Sequence, residues 1–475
     1  MFRRFCMIVL ATACSLSAAG SVRAQVTAQQ PDFTKLGDEA QGWLTDLLRI
    51  NTVNPPGNES ASAKYIAAIF QKEDIPNEVI EIAPGRSIVI ARLQAGPLPD
   101  PSNALLLVAH QDTVGVDAKK WTVDPFGAVL RGGYLYGRGA IDDKGMLAAN
   151  IATMVGLKRS GTRLGRDVIF LATDDQEQGG AAGIKQAVEK YWDKFACAYA
   201  LDDGGRVMVQ DGKVQYVGIQ ASEKVPYNVT MTATGVSGHA SMPLPDNAVA
   251  HLAAAIAKVG TYQVPAQPNT ITLRYFDALS RFENDDIAKW MRALEQPQRA
   301  DLAVMRLSEQ SPMWNSMLRD TIVPTMLQAG IRNDVIPSEA TANLDVRMLP
   351  GHSIYQLIDQ LEKLVHDPQV RFQLAPDAGE NAPPSDITSP LYKTIERLTP
   401  QDFPGAVAVP FLSPGATDSA TLRLHNVQAY GLLPFPLTEA DDARVDANDE
   451  RIPVDSFHKG IVFLYHVVSD FASTK

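Results

Sequence analysis

The sequence predicts an α/β protein in which a mostly parallel sheet flanked by helices is interrupted by an inserted α+β domain. Three observations carry that prediction. Short, nearly continuous apolar runs at Ala104 to Ala109, Val168 to Ala172 and Ala196 to Leu201 read as strands covered on both faces. Helical patterns lie between them, at Met146 to Leu157 with its apolar side chains near one stripe, and at Ala181 to Trp192. Near residue 222 the pattern changes to strict alternation, from Pro226 to Thr234, as in a half-exposed antiparallel strand.

Each segment then takes its place. Two strand–helix pairs, Pro226 to Thr234 with Ala248 to Gly260 and Ala340 to Met348 with Ile354 to His366, define an inserted domain over 222–374. Residues 32–221 and 375–475 form the discontinuous main domain, and the Pro-rich stretch Ala375 to Pro390 reads as the return crossing. Phe282 to Arg319, polar and helix-prone, reads as an elaboration of the inserted domain. At the start, Arg3 and Arg4, an apolar run from Phe5 to about Gly20 and Val22-Arg23-Ala24 read as a signal peptide cleaved after Ala24, which predicts a periplasmic or secreted protein. The apolar run is shorter than the roughly 20 residues of a membrane span, so no stable membrane insertion is expected after cleavage.

Composition narrows the function. The 475 residues are 45% apolar and 20% charged, with a formal net charge of −11. Signal cleavage removes Arg3, Arg4 and Arg23 and no acid, so the mature chain is more acidic still and nucleic acid is excluded as a partner. Cys6 and Cys14 leave with the signal. Cys197 alone remains, and no intramolecular disulfide can form.

The chemistry gathers at strand ends. The run Leu105 to Ala109 leads into His110-Gln111-Asp112, and strand alternation aims His110 and Asp112 to one side. A Gly-rich turn, Tyr136 to Gly145, delivers Asp142 and Asp143 at the start of a helix; read alone, Asp142 serves equally as an N-cap. Two further strands end in Thr173-Asp174-Asp175-Gln176-Glu177 and in Asp202-Asp203-Gly204-Gly205. In an open α/β sheet, ligands bind beyond the carboxyl ends of the strands. Acids converging there repel unless cations lie between them.

These motifs resemble the two-zinc metallopeptidases that include aminoacylase, succinyl-diaminopimelate desuccinylase, carnosinase and carboxypeptidase S, over roughly residues 35 to 470. The likeness is greatest to the carboxypeptidase S and N-fatty-acyl-amino-acid hydrolase branch, through Tyr136 to Lys144, Ser222-Glu223-Lys224, Gly235 to Pro243 and Asn333 to Pro350. The resemblance implies two divalent metal ions, zinc with manganese or cobalt as alternatives. It implies His110 on one ion, Asp142 bridging both, Glu177 on the other, and Asp202 or Asp203 completing the first. Asp112 is then the acid that fixes the tautomer of the ligand histidine. His239 is the histidine that the inserted domain of one subunit sends to its partner's active site, which implies a homodimer and makes that domain a dimerisation lid. Arg347 and Asn333 are implied to bind substrate, Arg347 gripping a carboxylate with its planar fork.

Two positions depart from the pattern. Gln176 stands where the family has its general base, and an amide cannot accept a proton near neutral pH. Asp446 stands where the last ligand is a histidine, four residues before Glu450-Arg451-Ile452. The resemblance implies an exported hydrolase that cleaves the amide bond of N-acyl amino acids or short peptides with metal-activated water. The alternative is a catalytically impaired homologue acting as a binding protein, because of Gln176 and Asp446. A serine or cysteine hydrolase has no support: no Gly-x-Ser-x-Gly elbow is present and Cys197 lies in an apolar run.

Overall fold

The computed structural model describes residues 30–376, 379 and 381–474. The signal segment therefore lies outside the described residues. A ten-stranded mixed sheet forms the larger part. Its centre is parallel: Val168–Thr173, Leu105–His110, Tyr199–Asp202 and Gln428–Gly431 lie side by side in one direction. Antiparallel pairs extend it outward, Asn77–Ala83 with Arg86–Leu93 on one flank and Arg206–Gln210 with Lys213–Glu223 towards the other. Val407–Ser413 pairs in parallel with Lys213–Glu223 off the main path.

Strand periodicity explains the layering. Along Leu105–His110, residues Leu105, Leu107 and Ala109 enter the core beneath helices Phe33–Arg49, Glu59–Lys72, Lys144–Ser160 and Val454–Ala472. Leu106 and Val108 point to the opposite face, towards Ile184–Phe195 and Ser419–Leu424. All six residues of this strand and of Val168–Thr173 are buried, which is why both read as unbroken apolar runs. The helix Lys144–Ser160 differs from its sequence reading: it is buried on every side from Lys144 to Leu157, not along one stripe, because Phe33–Arg49 and Val454–Ala472 cover its back.

A second, four-stranded antiparallel sheet is ordered Thr321–Ala329, Glu339–Met348, Val225–Thr234, Val370–Leu374. With helices Ala248–Thr261 and Ile354–Val365 it closes a core of its own. The chain returns through Gly379, whose N–H bonds to the Pro226 carbonyl, and Ser385, whose N–H bonds to that of Ala221.

The segment read as an elaboration of this second unit belongs elsewhere. Within it, helices Asp285–Ala293, Ala300–Gln310 and Pro312–Leu318 bury Met291, Leu307 and Trp314 in the core of the large sheet, where the preceding helix Thr270–Leu279 also places Ile271, Tyr275 and Phe276. The Tyr275 ring lies 5.7 Å from that of Phe411 on Val407–Ser413. Amphipathic helices announce a buried face; they do not say which core receives it.

Candidate active site and metal centre

Four strand ends build the site. The strand Leu105–His110 delivers a fully buried His110, whose Nε2 lies 2.8 Å from Asp142 Oδ1. Its Nδ1 lies 3.0 Å from the Asp112 carbonyl and 3.3 Å from Asp112 Oδ1, so Asp112 orients the ring. The Asp112 carboxylate also accepts from Asn54 Nδ2 at 2.9 Å and from the N–H groups of Gln176 at 3.2 Å and Glu177 at 3.1 Å. Burial alone would raise its pKa, yet the bonds from His110, Asn54 and the Glu177 amide hold it below the usual range.

Asp175 shapes the next strand end. It sits in the left-handed region at φ 64°, which Asp tolerates better than most residues, and bends the chain into the 3₁₀ turn Gln176–Gln178. One Asp175 oxygen accepts from Arg86 at 2.8 Å and Asn54 at 2.9 Å, the other from the Ala182 N–H at 2.8 Å. Both Asp175 oxygens are thus engaged, whereas Asp174 is held by Gln111 at 2.9 Å through Oδ1 alone and its buried Oδ2 has no partner among the described residues. Gln176 itself donates from Nε2 to the Ala416 carbonyl at 3.0 Å.

Asp142 is placed by a residue that the sequence reading did not single out. Glu450 is completely buried. Its carboxylate accepts from Arg138 at 2.7 Å and from the N–H groups of Gly139, Ile141 and Asp142 at 2.9, 2.8 and 3.1 Å, clasping the whole Gly-rich turn. The short antiparallel pairing of Arg451–Pro453 with Tyr134–Tyr136 brings it there. Asp143, not Asp142, stands at the N-cap position of the helix Lys144–Ser160, but its side chain makes no capping bond; its Oδ2 accepts the His110 N–H at 3.1 Å instead.

The adjacent residues Asp202 and Asp203 stay in contact but have different further partners. Asp202 turns to Ser419, which donates to its Oδ2 at 2.8 Å, whereas Asp203 lines the cavity. The chain leaves Asp203 through Gly204 at φ 92°, where a Cβ would stand 2.2 Å from Gln220 Oε1, so only glycine fits.

Several of these residues line a cavity of about 940 Å³ between the large sheet and the inserted unit. Asp142, Gln176, Glu177, Asp203 and Asp446 lie on one wall, and Arg347, from strand Glu339–Met348, on the other. Arg347 is gripped by Asp345 at 2.8 and 3.0 Å. His239 and Asn333 are not among the residues lining the cavity of their own chain. Both are exposed, His239 on the ribbon formed by Gly238–His239 and Val335–Ile336 and Asn333 in the turn that leads into it.

The donor set suits a divalent cation. Ligand atoms of His110, Asp142 and Glu177 all lie within 4.8 Å of one another, one imidazole nitrogen with two carboxylates. Buried oxygens around them, Glu177 Oε1, Asp203 Oδ1 and Asp143 Oδ1, have no hydrogen-bond partner among the described residues. Burial, reinforced by Asp142, Asp446 and Asp112, pushes Glu177 up to about 8 against the pull of His110. Burial and the Asp202 and Asp143 charges push Asp203 well up. Crowded acids of this kind ionise together only with a cation among them.

Comparison with known proteins agrees with this geometry. Residues 106–470 match the model of peptidase family M20/M25/M40. The chain belongs to that family. It is 27% identical over 392 residues to "Probable carboxypeptidase S-like 2" of Dictyostelium discoideum, covering 78% of this chain and 72% of that one. It is 25% identical over 379 residues to human "N-fatty-acyl-amino acid synthase/hydrolase PM20D1", covering 78% and 75%. The solved M20 metallo-carboxypeptidase Sso-CP2 of Sulfolobus solfataricus superposes with a TM-score of 0.69 over 91% of this chain and 99% of that one, at 18% identity, which establishes a shared fold. As an M20/M25/M40 member the chain is a metal-dependent hydrolase by class.

Proposed function

We propose that this member of the M20/M25/M40 family hydrolyses the amide bond of N-acyl amino acids or short peptides that bear a free carboxylate. One observation carries the reading: the ligand atoms of His110, Asp142 and Glu177 converge at a cavity that Asp142 and Glu177 line and to which Arg347 also contributes. His110, Asp142 and Glu177 would hold the cation, zinc by its mixed nitrogen and oxygen donors, with manganese or cobalt as alternatives. What such an ion supplies when bound is Lewis acidity towards the scissile carbonyl and a water pKa lowered to about 7.

The protein supplies the rest. Asp112 holds the His110 ring and, through the Gln176 and Glu177 amides, the turn that aims Glu177. Arg347 binds the substrate carboxylate in place of part of its Asp345 contact, a bidentate match of fork to fork. Gln176 takes up no proton, so turnover is low for such a site. A homodimer completes the site, with His239 and Asn333 meeting the partner's substrate. The exposed edge strand Thr321–Ala329, with Val323, Met326 and Leu327 facing outward, supports this assembly. We assign the protein to the periplasm or extracellular space on the strength of residues 1–24.

A second reading, a binding protein with little turnover, is favoured by the Gln176 side chain being tied to Ala416. A panel of N-acyl amino acids and dipeptides, incubated with Zn²⁺, Mn²⁺ or Co²⁺ and read by mass spectrometry, separates the two. Amide cleavage supports the hydrolase; saturable ligand binding with no product under any ion overturns it.

A further inference from the structure

We infer that this chain holds one divalent cation rather than two, on His110, Asp142 and Glu177, with Asp446 kept outside the coordination sphere by Arg138. The inference rests on the metal-dependent reading above and concerns only how many ions the site accepts.

The argument begins with reach. Among the described residues, one group of His, Cys, Asp or Glu brings at least three ligand atoms within 4.8 Å of one another, and Asp446 is not in it. Asp446 lines the same cavity, with a side chain 40% exposed. An aspartate is shorter than an imidazole.

The second argument is competition. Asp446 Oδ1 lies 3.6 Å from Arg138 Nη1, while Arg138 Nη2 donates to the main-chain carbonyls of Asp446 at 2.9 Å and Ala447 at 3.3 Å. The loop is thus folded around a guanidinium that is itself fixed by Glu450 and packed 5.4 Å from the Trp121 ring. A neutral imidazole at position 446 has no charge to give to Arg138 and is free to coordinate. An aspartate is drawn to the cation. A second divalent ion at Asp446 would have to break that pairing and sit close to a fixed positive charge, which raises its cost in a partly buried site.

The test counts ions instead of turnover. The full chain, stripped with a chelator, saturated with Zn²⁺ and desalted, is expected to carry one zinc per chain by plasma mass spectrometry. Asp446→His is expected to carry two, with an unchanged melting curve because the position is partly exposed. Asp446→Asn is expected to keep one. Two ions on the parent chain overturn the inference, and so does a single ion in Asp446→His. Loss of the ion in Asp446→Asn also overturns it, since Asp446 would then be a ligand. Absence of amide hydrolysis with one zinc bound would count against the proposed activity and leave this inference standing.

Discussion

Glu450 offers the sharpest prediction, because its bonds can be counted. The side chain is fully buried, and each carboxylate oxygen accepts two bonds: Oε2 from Arg138 and the Gly139 N–H, Oε1 from the Ile141 and Asp142 N–H groups. Glu450→Gln preserves volume and opens no cavity. It turns one oxygen into an NH₂ group facing two donors and leaves the Arg138 cation only the more distant Asp446 carboxylate, at 3.6 Å, as counter-charge. Breaking a buried ion pair from one side costs about 3–5 kcal/mol. Two lost main-chain hydrogen bonds add about 1 kcal/mol each. A loss of at least about 3 kcal/mol is therefore expected in urea unfolding followed by tryptophan fluorescence. Because the Asp142 amide is one of the donors, Zn²⁺ affinity in a chelator competition should also fall, by about 10-fold or more. A variant within about 1 kcal/mol of the parent and unchanged in zinc affinity would refute the claim that Glu450 positions Asp142.

Three further outcomes are expected. Gln176→Glu restores a carboxylate beside the ligand turn and should raise kcat by about 10²- to 10⁴-fold on a cleavable N-acyl amino acid, at unchanged metal content. The same variant loses the bond to the Ala416 carbonyl, and its unfolding midpoint should drop by the equivalent of about 1–2 kcal/mol. Arg347→Met should lower kcat/KM by about 10- to 100-fold for substrates with a free carboxylate, the worth of one charge-assisted contact, and should leave the corresponding amides nearly unaffected. Burial pushes Lys224 from 10.5 down to about 7, while its Nζ donates to oxygens of Ser316, Arg319 and Thr321. Between those values the unfolded chain holds more protons than the folded one, so stability should rise as pH climbs from about 7 towards 10.5. Lys224→Met should flatten that rise in a series of thermal melts.

The parts legible in the sequence were those written in local periodicity. Alternation along Leu105–His110 places His110 and Asp112 on one side, and the structure keeps them in contact. Continuous apolar runs marked the central strands, since both faces are covered. What escaped was long-range. Asn54 reaches Asp112 across 58 residues and Asp175 across 121, and Glu450 reaches the Gly-rich turn across more than 300. No local pattern records such partners. The helices from Thr270 to Leu318 were misassigned because an apolar face is equally at home on either of two cores. His239 and Asn333 carry motif signals, yet in one chain they stand apart from the cavity, so their placement is a question of assembly.

The central claim is that His110, Asp142 and Glu177 coordinate the catalytic cation. Anomalous-scattering crystallography of the zinc-loaded protein tests it most directly. The account predicts an ion peak bonded to His110 Nε2 and to carboxylate oxygens of Asp142 and Glu177 at about 2.0–2.2 Å. A zinc-replete crystal with its ion elsewhere, or with any of these three side chains outside the coordination sphere, would contradict it.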